Sequence, residues 1–246
     1  MYRVCIIIPF YNEEARFDSN NVVRFIEEHD NYLFCLVNDG SSDGTLLMLN
    51  DLQSKYSQVK VVNLEQNRGK AEAIRQGMLE VLKCDQFEYV AFLDADFSAP
   101  IGVIPFMLDS HPDISLYLGA RIKYLGVNIF RDSFRHYVGR VFATLASGIL
   151  NLPIYDTQCG AKIFKRDLVE VAFSEPFISS WLFDLEVIMR IVKKLGWNNF
   201  CQISREIPLY EWIEKGGSKV KMSYMFKLPI DLLKVRRKYG KVNFQE

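Results

Sequence analysis

The sequence has no surplus of charge, since thirty Lys and Arg are balanced by thirty Asp and Glu over 246 residues. A chain that is neutral overall has no general attraction for a polyanion, so nucleic acid is not an expected partner. Histidine is scarce: His29, His111 and His136 form no HxxxH pair, which argues against zinc. The five cysteines (Cys5, Cys35, Cys84, Cys159 and Cys201) are odd in number, scattered and without a CxxC. That usage fits reduced thiols in a cytosolic protein and excludes a disulfide framework. Long apolar runs are missing too. The longest uncharged stretch, 141–155, contains Asn151 and Pro153, whereas a bilayer span needs about 20 apolar residues. The opening "MYRVCIIIPFYNEE" has no signal-peptide cleavage site, and its apolar run has the length of a strand. There is no GxGxxG. "NRGK" (67–70) is not a Walker sequence either, because no Gly lies five before Gly69 and Ala71 follows Lys70. No internal repeat is present.

What is present is alternation. Short β-branched or aromatic runs predict strands over 4–8, 34–38, 59–63, 89–93 and 115–119, with helical patterns over 21–29, 45–56, 70–83 and about 101–110. Near-continuous apolar strands separated by helices indicate an α/β fold, a mostly parallel central sheet with helices on both faces. The second half predicts a helix over about 130–150, a loop and strand in "YDTQCGAKIFKRD", and an amphipathic helix in "LFDLEVIMRIVKKLG" stopped by Gly196. After these come a strand in "NFCQISREI" and a basic helix over 224–238. No linker separates the halves, so a single domain of residues 1–246 is expected: a ligand-binding half over 1–120, a second half over 121–213 and a basic elaboration over 214–246. From Glu214 onward nine Lys and Arg face three acids, a solvated helix face or a surface drawn to anionic lipid headgroups.

In parallel sheets ligands bind beyond the carboxyl ends of the strands. Those ends read "PFYNEE", "NDGSSDGT", "EQNRGK" and "DADFSAP", all polar or rich in Gly and Pro. Asp94 ends its strand, and Asp96 follows at the spacing that returns a side chain to the same side of extended backbone. Two converging carboxylates suit one hard divalent cation, Mg2+ or Mn2+, with substrate phosphates completing its shell; solvated loop acids are the alternative. In "NDGSSDGT", Ser42 or Asp43 is expected to cap the next helix, leaving Asp39 to accept from a nucleobase N–H. Lys70, at a helix start, is placed either to meet a phosphate or simply to face solvent.

Taken in order, "IIIPFYNEE", "VNDGSSDGT", "NRGKAEAIRQGM", "FLDADFSAP" and "YDTQCGAKIF" resemble the motifs of inverting family-two glycosyltransferases with the GT-A fold. "DTQCGAKIF" followed by "WLFDLEVI" and "WIEKGGSKV" is most similar to the polyprenyl-phosphate sugar transferase branch, over nearly the whole chain. The resemblance implies a metal-dependent transfer of a hexose from a nucleotide sugar, UDP-glucose first, to a polyprenyl phosphate. It implies that Pro9, Tyr11 and Glu13 line the nucleoside pocket, Asp39 holds the base and Lys70 sits near the nucleotide. Asp94 and Asp96 would bind the metal. Gln158 would lie in the loop over the donor, with Asp156 the acid nearest the reacting sugar. Arg121, Arg131 and Arg135 match positions that meet the acceptor phosphate. Two departures stand out: some mannosyl relatives carry Gln where this chain has Ser98, and anchored members carry C-terminal hydrophobic helices that this sequence does not show.

A phosphate acceptor is already anionic and needs cations more than a base. A hydroxyl acceptor on a glycan would need a base, for which Asp156 is the candidate. A silent nucleotide-sugar-binding module is the reading from another class. The expected location is the cytoplasmic face of a membrane, held peripherally to an anionic surface.

Overall fold

The computed structural model describes residues 2–84, 86–130, 133–215 and 223–244, with backbone alone for 2, 133–140, 142 and 223–226. The first half alternates strictly. Strands β1 (Tyr2–Phe10), β2 (Tyr32–Asp39), β3 (Val59–Leu64), β4 (Phe87–Phe92) and β5 (Leu116–Ala120) are separated by helices α1 (Asn20–Glu28), α2 (Thr45–Lys55), α3 (Lys70–Val81) and α4 (Val103–Ser110). There follow β6 (Asn128–Phe130), α5 (Ser133–Leu150), β7 (Lys162–Lys165), α6 (Arg166–Phe173) and α7 (Phe183–Leu195). The described chain closes with α8 (Trp197–Ile203), β8 (Ser204–Pro208), β9 (Glu211–Ile213) and α9 (Ser223–Tyr239).

Seven strands form one sheet in the order β3-β2-β1-β4-β7-β5-β8, and β6 pairs with β9 in a separate parallel ribbon. The seven-stranded sheet is parallel except for β7, which runs antiparallel to both β4 and β5. Its central strands are apolar without a break over 4–8, 33–37 and 90–92 because both faces are covered there. In β1, Val4, Ile6, Ile8 and Phe10 belong to one core, while Cys5 and Ile7 belong to the other. Alternate side chains point to opposite faces, so a doubly covered strand cannot show polar alternation. The first core lies under α1, α2 and α4, the second under α3, α6 and α7. Helix α3 lies flat on β1 and β2 at Gly77, where an added Cβ would fall 2.6 Å from Ile7 Cγ2 and 2.8 Å from Val37 Cγ2.

Order reverses at β1: the chain moves from β1 outward to β2 and β3, then returns to β4 on the other side. This topological switch opens a crevice beyond the carboxyl ends of β1 and β4.

The structure corrects the reading of "NFCQISREI". Residues up to Ile203 belong to α8, and only Ser204–Pro208 is a strand. Gly196, at φ 78°, lets the chain turn from α7 directly into α8, and Trp197 stacks on Phe200 at 5.4 Å, a helical i,i+3 contact. Phe130 belongs to β6, so the helix expected from residue 130 starts at Ser133. The cap of α2 is shared: Asp43 Oδ1 accepts from Thr45 N at 3.0 Å, while the N-cap position itself is Gly44, whose N–H donates to Glu14 Oε2 at 2.8 Å. Ser42 does not cap; its N–H donates to Asn12 Oδ1.

Because the Gly77 contact is with stiff β-branched methyls, Gly77→Val overpacks the α3–sheet interface. Urea unfolding is expected to show a loss of about 1–3 kcal/mol with an unchanged slope.

Candidate active site

Four loops rise from the carboxyl ends of β1 to β4, and each contains one residue in the left-handed region. These are Asn12 (φ 51°), Gly40 (φ 64°), Gly69 (φ 88°) and Phe97 (φ 47°). At Gly40 no side chain fits: a Cβ would lie 2.5 Å from the backbone N of Asn67. The bulky Phe97 is a true outlier of its residue type, of the kind that concentrates at functional sites.

Hydrogen bonds weld the first three loops into one rim. Asn12 N–H donates to Ser41 Oγ at 3.1 Å and Glu13 N–H to Thr45 Oγ1 at 2.9 Å. Asp39, at the end of β2, accepts from Arg68 N on one carboxylate oxygen and Gly69 N on the other, both at 2.8 Å. Burial raises the Asp39 pKa, against the pull of those two donors. The residue read from sequence as a base contact is thus also the tie of the β3–α3 loop. Pro9 lies near the end of β1, Tyr11 is partly exposed on the rim, and the buried Glu13 accepts from Arg16 at 2.7 Å.

Asp94 and Asp96 come together in the crevice at the switch point. Their turn closes with a hydrogen bond from Phe97 N–H to Asp94 O at 3.1 Å, and Asp96 Oδ1 accepts from Ser98 N–H at 2.9 Å. Burial and the neighbouring charge of Asp94 raise the Asp96 pKa. Lys70, the first residue of α3, brings its Nζ to 2.5 Å from Asp94 Oδ1. The two form a close ion pair, the ammonium reinforcing the charge attraction with a hydrogen bond to Oδ1. Among the described residues no cluster of three or more His, Cys, Asp or Glu side chains could hold a metal ion. The residues present still fit one: two carboxylates whose repulsion a cation would offset, one of which already draws an ammonium to its Oδ1.

The loop before β7 presses on this pair. A Cβ at Gly160 would lie 2.5 Å from Asp94 Oδ2, so glycine there is what lets "DTQCG" close over the carboxylate. Two residues on, the fully buried Lys162 donates to Cys159 O at 2.7 Å and to Asp184 Oδ1 at 2.5 Å. Burial raises the Asp184 pKa, outweighing the charges of Lys162 and Lys70. Sequence reading quoted Gly160, Lys162 and Asp184 inside motifs but assigned them nothing. The available signal was a lysine within an apolar strand, which must find a carboxylate when buried.

Asp156 and Arg121 consume each other. Arg121 Nε donates to Asp156 Oδ2 at 2.7 Å, its Nη2 to Oδ1 at 2.8 Å, and its backbone N–H to Oδ2 at 3.1 Å. The guanidinium also lies over the Trp212 ring, 4.9 Å from its centre. Glu206 of β8 fixes the loop, accepting from Tyr155 N–H at 3.0 Å and Asp156 N–H at 2.6 Å. Burial would raise the Asp156 pKa, but the Arg121 charge and hydrogen bonds dominate and hold it at about 2. Burial would lower the Arg121 pKa, and the same carboxylate raises it instead. Gln158 follows, its Nε2 donating to Trp181 O at 3.4 Å. The structure therefore gathers Asp39, Lys70, Asp94 and Asp96 on the rim, with Asp156, Gln158 and Arg121 in the paired loop. Arg131 and the side chain of Arg135 lie outside the described residues.

Removing one partner of a buried pair leaves the other charge uncompensated, so Asp156→Asn is expected to cost about 3–5 kcal/mol. Arg121→Met/Asp156→Leu should recover most of that loss. Since Asp156 titrates below its ordinary 3.8, its contribution is complete above that pH and is lost as pH falls through about 2. Acid unfolding should therefore show a steeper loss of stability over this interval in the parent than in the double variant.

Comparison with known proteins follows the same residues. Residues 5–173, from β1 to the end of α6, match Glycosyl transferase family 2. The chain is 31% identical to a dolichyl-phosphate beta-glucosyltransferase of Trichomonas vaginalis, covering 94% of this chain and 72% of that one. It is 28% identical to the dolichyl-phosphate beta-glucosyltransferase of Saccharomyces cerevisiae, covering 95% and 74%. A solved structure of glucosyl-3-phosphoglycerate synthase from Mycobacterium tuberculosis, holding Mn2+, UDP and glucosyl-3-phosphoglycerate, superposes with a TM-score of 0.65 at 15% identity, over 99% of this chain and 82% of that one. That likeness is one of fold, the GT-A arrangement of a mostly parallel sheet with helices on both faces. With its matched region spanning the crevice from β1 to β7, the chain belongs to glycosyl transferase family 2 and is a glycosyltransferase.

Proposed function

We propose that this enzyme moves glucose from UDP-glucose to a polyprenyl phosphate such as dolichyl phosphate, with inversion at the anomeric carbon. The observation that carries the choice of acceptor is the state of Asp156. Paired bidentately to Arg121 and titrating at about 2, it is too weak a base at neutral pH to deprotonate a sugar hydroxyl. Asp184, the other carboxylate buried nearby, is paired to Lys162. A phosphate acceptor is anionic and attacks without such a base, so the site suits it better than a glycan hydroxyl. The names of the relatives support the same acceptor class and the same sugar. Family membership also speaks against a silent binding module.

On the donor side, Pro9, Tyr11 and Glu13 would line the nucleoside. Asp39 keeps a second lone pair on each oxygen for a base N–H, beyond those that tie the loop. Asp94 and Asp96 would hold Mg2+ or Mn2+, and neighbours of the same fold crystallised with Mn2+ and UDP support this. Such an ion would supply positive charge where the diphosphate becomes a leaving group. Gln158, hydrogen-bonded to the α7 approach through Trp181 O, would border the sugar. Arg121 would shape the acceptor side through Asp156, with Arg131 and Arg135 contacting the phosphate. The ligand-binding half, acceptor half and basic elaboration expected from sequence keep those roles in this reading.

No helix among the described residues is long and apolar enough to cross a membrane. A lipid acceptor would instead be met from the side. Leu125 is fully exposed and Phe130 is 63% exposed, while Val141 and Leu145 of α5 and Ile230 and Leu233 of α9 also face outward. The two helices touch, and the last turn of α9 carries Arg236, Arg237 and Lys238. This side would lie on the anionic cytoplasmic surface of a membrane, peripherally and reversibly.

Chelation by EDTA is expected to abolish transfer, with Mn2+ or Mg2+ restoring it, and Asp96→Asn should lower kcat about a hundredfold or more while leaving the fold intact. Full activity in excess chelator would remove the metal from the reading. Liposome sedimentation should show binding that rises with anionic lipid and falls with salt. Arg135→Ala should raise KM for polyprenyl phosphate while leaving donor hydrolysis nearly unchanged. Indifference in both assays would turn the reading to a hydroxyl acceptor.

A further inference from the structure

The ammonium of Lys70 stands where a cation at Asp94 would need to be. Its Nζ lies 2.5 Å from Asp94 Oδ1. Burial pulls the Lys70 pKa down, but the surrounding charges of Asp94, Asp184 and Asp96 raise it. Three carboxylates thus share two ammonium groups, Lys70 and the buried Lys162, which is 2.5 Å from Asp184. The set is one positive charge short. A divalent ion seated on Asp94 with Lys70 still in place would set two cations on one oxygen, a repulsive arrangement at so short a distance.

The side chain is built to move. Lysine is a compact point charge on a flexible stem, and 44% of this one is exposed. Its backbone is not free to follow, because it opens α3 directly behind Gly69, whose N–H is fixed on Asp39 Oδ2. Asp184, anchored by Lys162, offers the ammonium a second negative neighbour that does not depend on Asp94.

We propose that Lys70 and the divalent cation exclude one another at Asp94. In the nucleotide-free protein Lys70 occupies the carboxylate and keeps affinity for the free ion low. The ion then enters together with a nucleoside diphosphate, whose negative charge gives the displaced ammonium a new partner, while Asp184 holds it close. Lys70 would act in this way as a positioning residue that makes metal binding conditional on the donor. The inference rests on Asp94 and Asp96 being the cation site.

The test is Mn2+ binding by the full chain, followed through the electron paramagnetic resonance signal of the free ion, with and without UDP. Lys70→Met is expected to bind Mn2+ alone about tenfold more tightly than the parent and Mn2+ with UDP about tenfold more weakly. Opposite signs are the signature, because structural damage would weaken both. Lys70→Arg keeps the charge and should keep affinity for Mn2+ alone low. Unchanged or weaker binding of Mn2+ alone by Lys70→Met overturns the proposal. Asp96→Asn separates the two levels. If it loses Mn2+ binding while Lys70→Met does not gain it, the exclusion fails and the cation site stands. If Asp96→Asn binds Mn2+ as the parent does in both conditions, the cation site itself fails and the exclusion with it.

Discussion

Covering both faces of the seven-stranded sheet confines unpaired charged groups to its margins, above all the rim beyond its carboxyl edge. Val4 to Ile8 are all fully buried, as are Phe34 to Val37 and Val90 to Leu93. No polar side chain can enter that interior without a partner, because an isolated buried charge costs far more than packing returns. The chain therefore places its carboxylates where strands end, and the reversal of order at β1 makes the crevice into which Asp94 and Asp96 project. The GT-A arrangement and the location of the site are two consequences of one burial constraint.

Within the crevice, electrostatics is arranged by pairing. Asp39 is answered by two backbone amides, Asp156 by Arg121, Asp184 by Lys162, and Asp94 by Lys70. Only the last of these has a cation whose side chain is substantially exposed, 44% for Lys70 against 14% for Arg121 and none for Lys162. Buried pairs hold loops, and the exposed stem of Lys70 leaves room for an exchange of partners. The same loop that carries Asp156 brings Gly160 against Asp94, so the Arg121–Asp156 pair and the Asp94 carboxylate are joined through five residues of backbone. Phe97 in the left-handed region belongs to this economy, since its turn is what sets Asp94 and Asp96 on the same crevice.

The basic and apolar surfaces of the second half have a different origin. The tail from Glu214 carries the positive charge that balances an acidic remainder. The parts of it that are described lie on α9 beside α5. A neutral molecule polarised in this way can orient toward an anionic surface without binding polyanions at large.

Much of this was legible in the amino-acid sequence, because burial and turn chemistry act locally. Near-continuous apolar runs on doubly covered strands, the glycines of "NDGSSDGT" and "NRGK", and the Asp94–Asp96 spacing each declare themselves within a few residues, and they direct attention to the strand ends. The misreading of "NFCQISREI" had a local cause: an aromatic and β-branched run of that length suits either element, and only the contact of Trp197 with Phe200 decides for helix. What the tertiary structure alone decided is which charges meet. Asp156 reads as a free acid until Arg121, 35 residues away, closes on it. Lys70 reads as a helix-start lysine facing either a phosphate or solvent, and only the β1–β4 pairing shows Asp94 beside its amine. Lys162 can be suspected as a lysine within an apolar strand, but that Asp184 answers it cannot be read from sequence, because partners distant in the chain are chosen by packing.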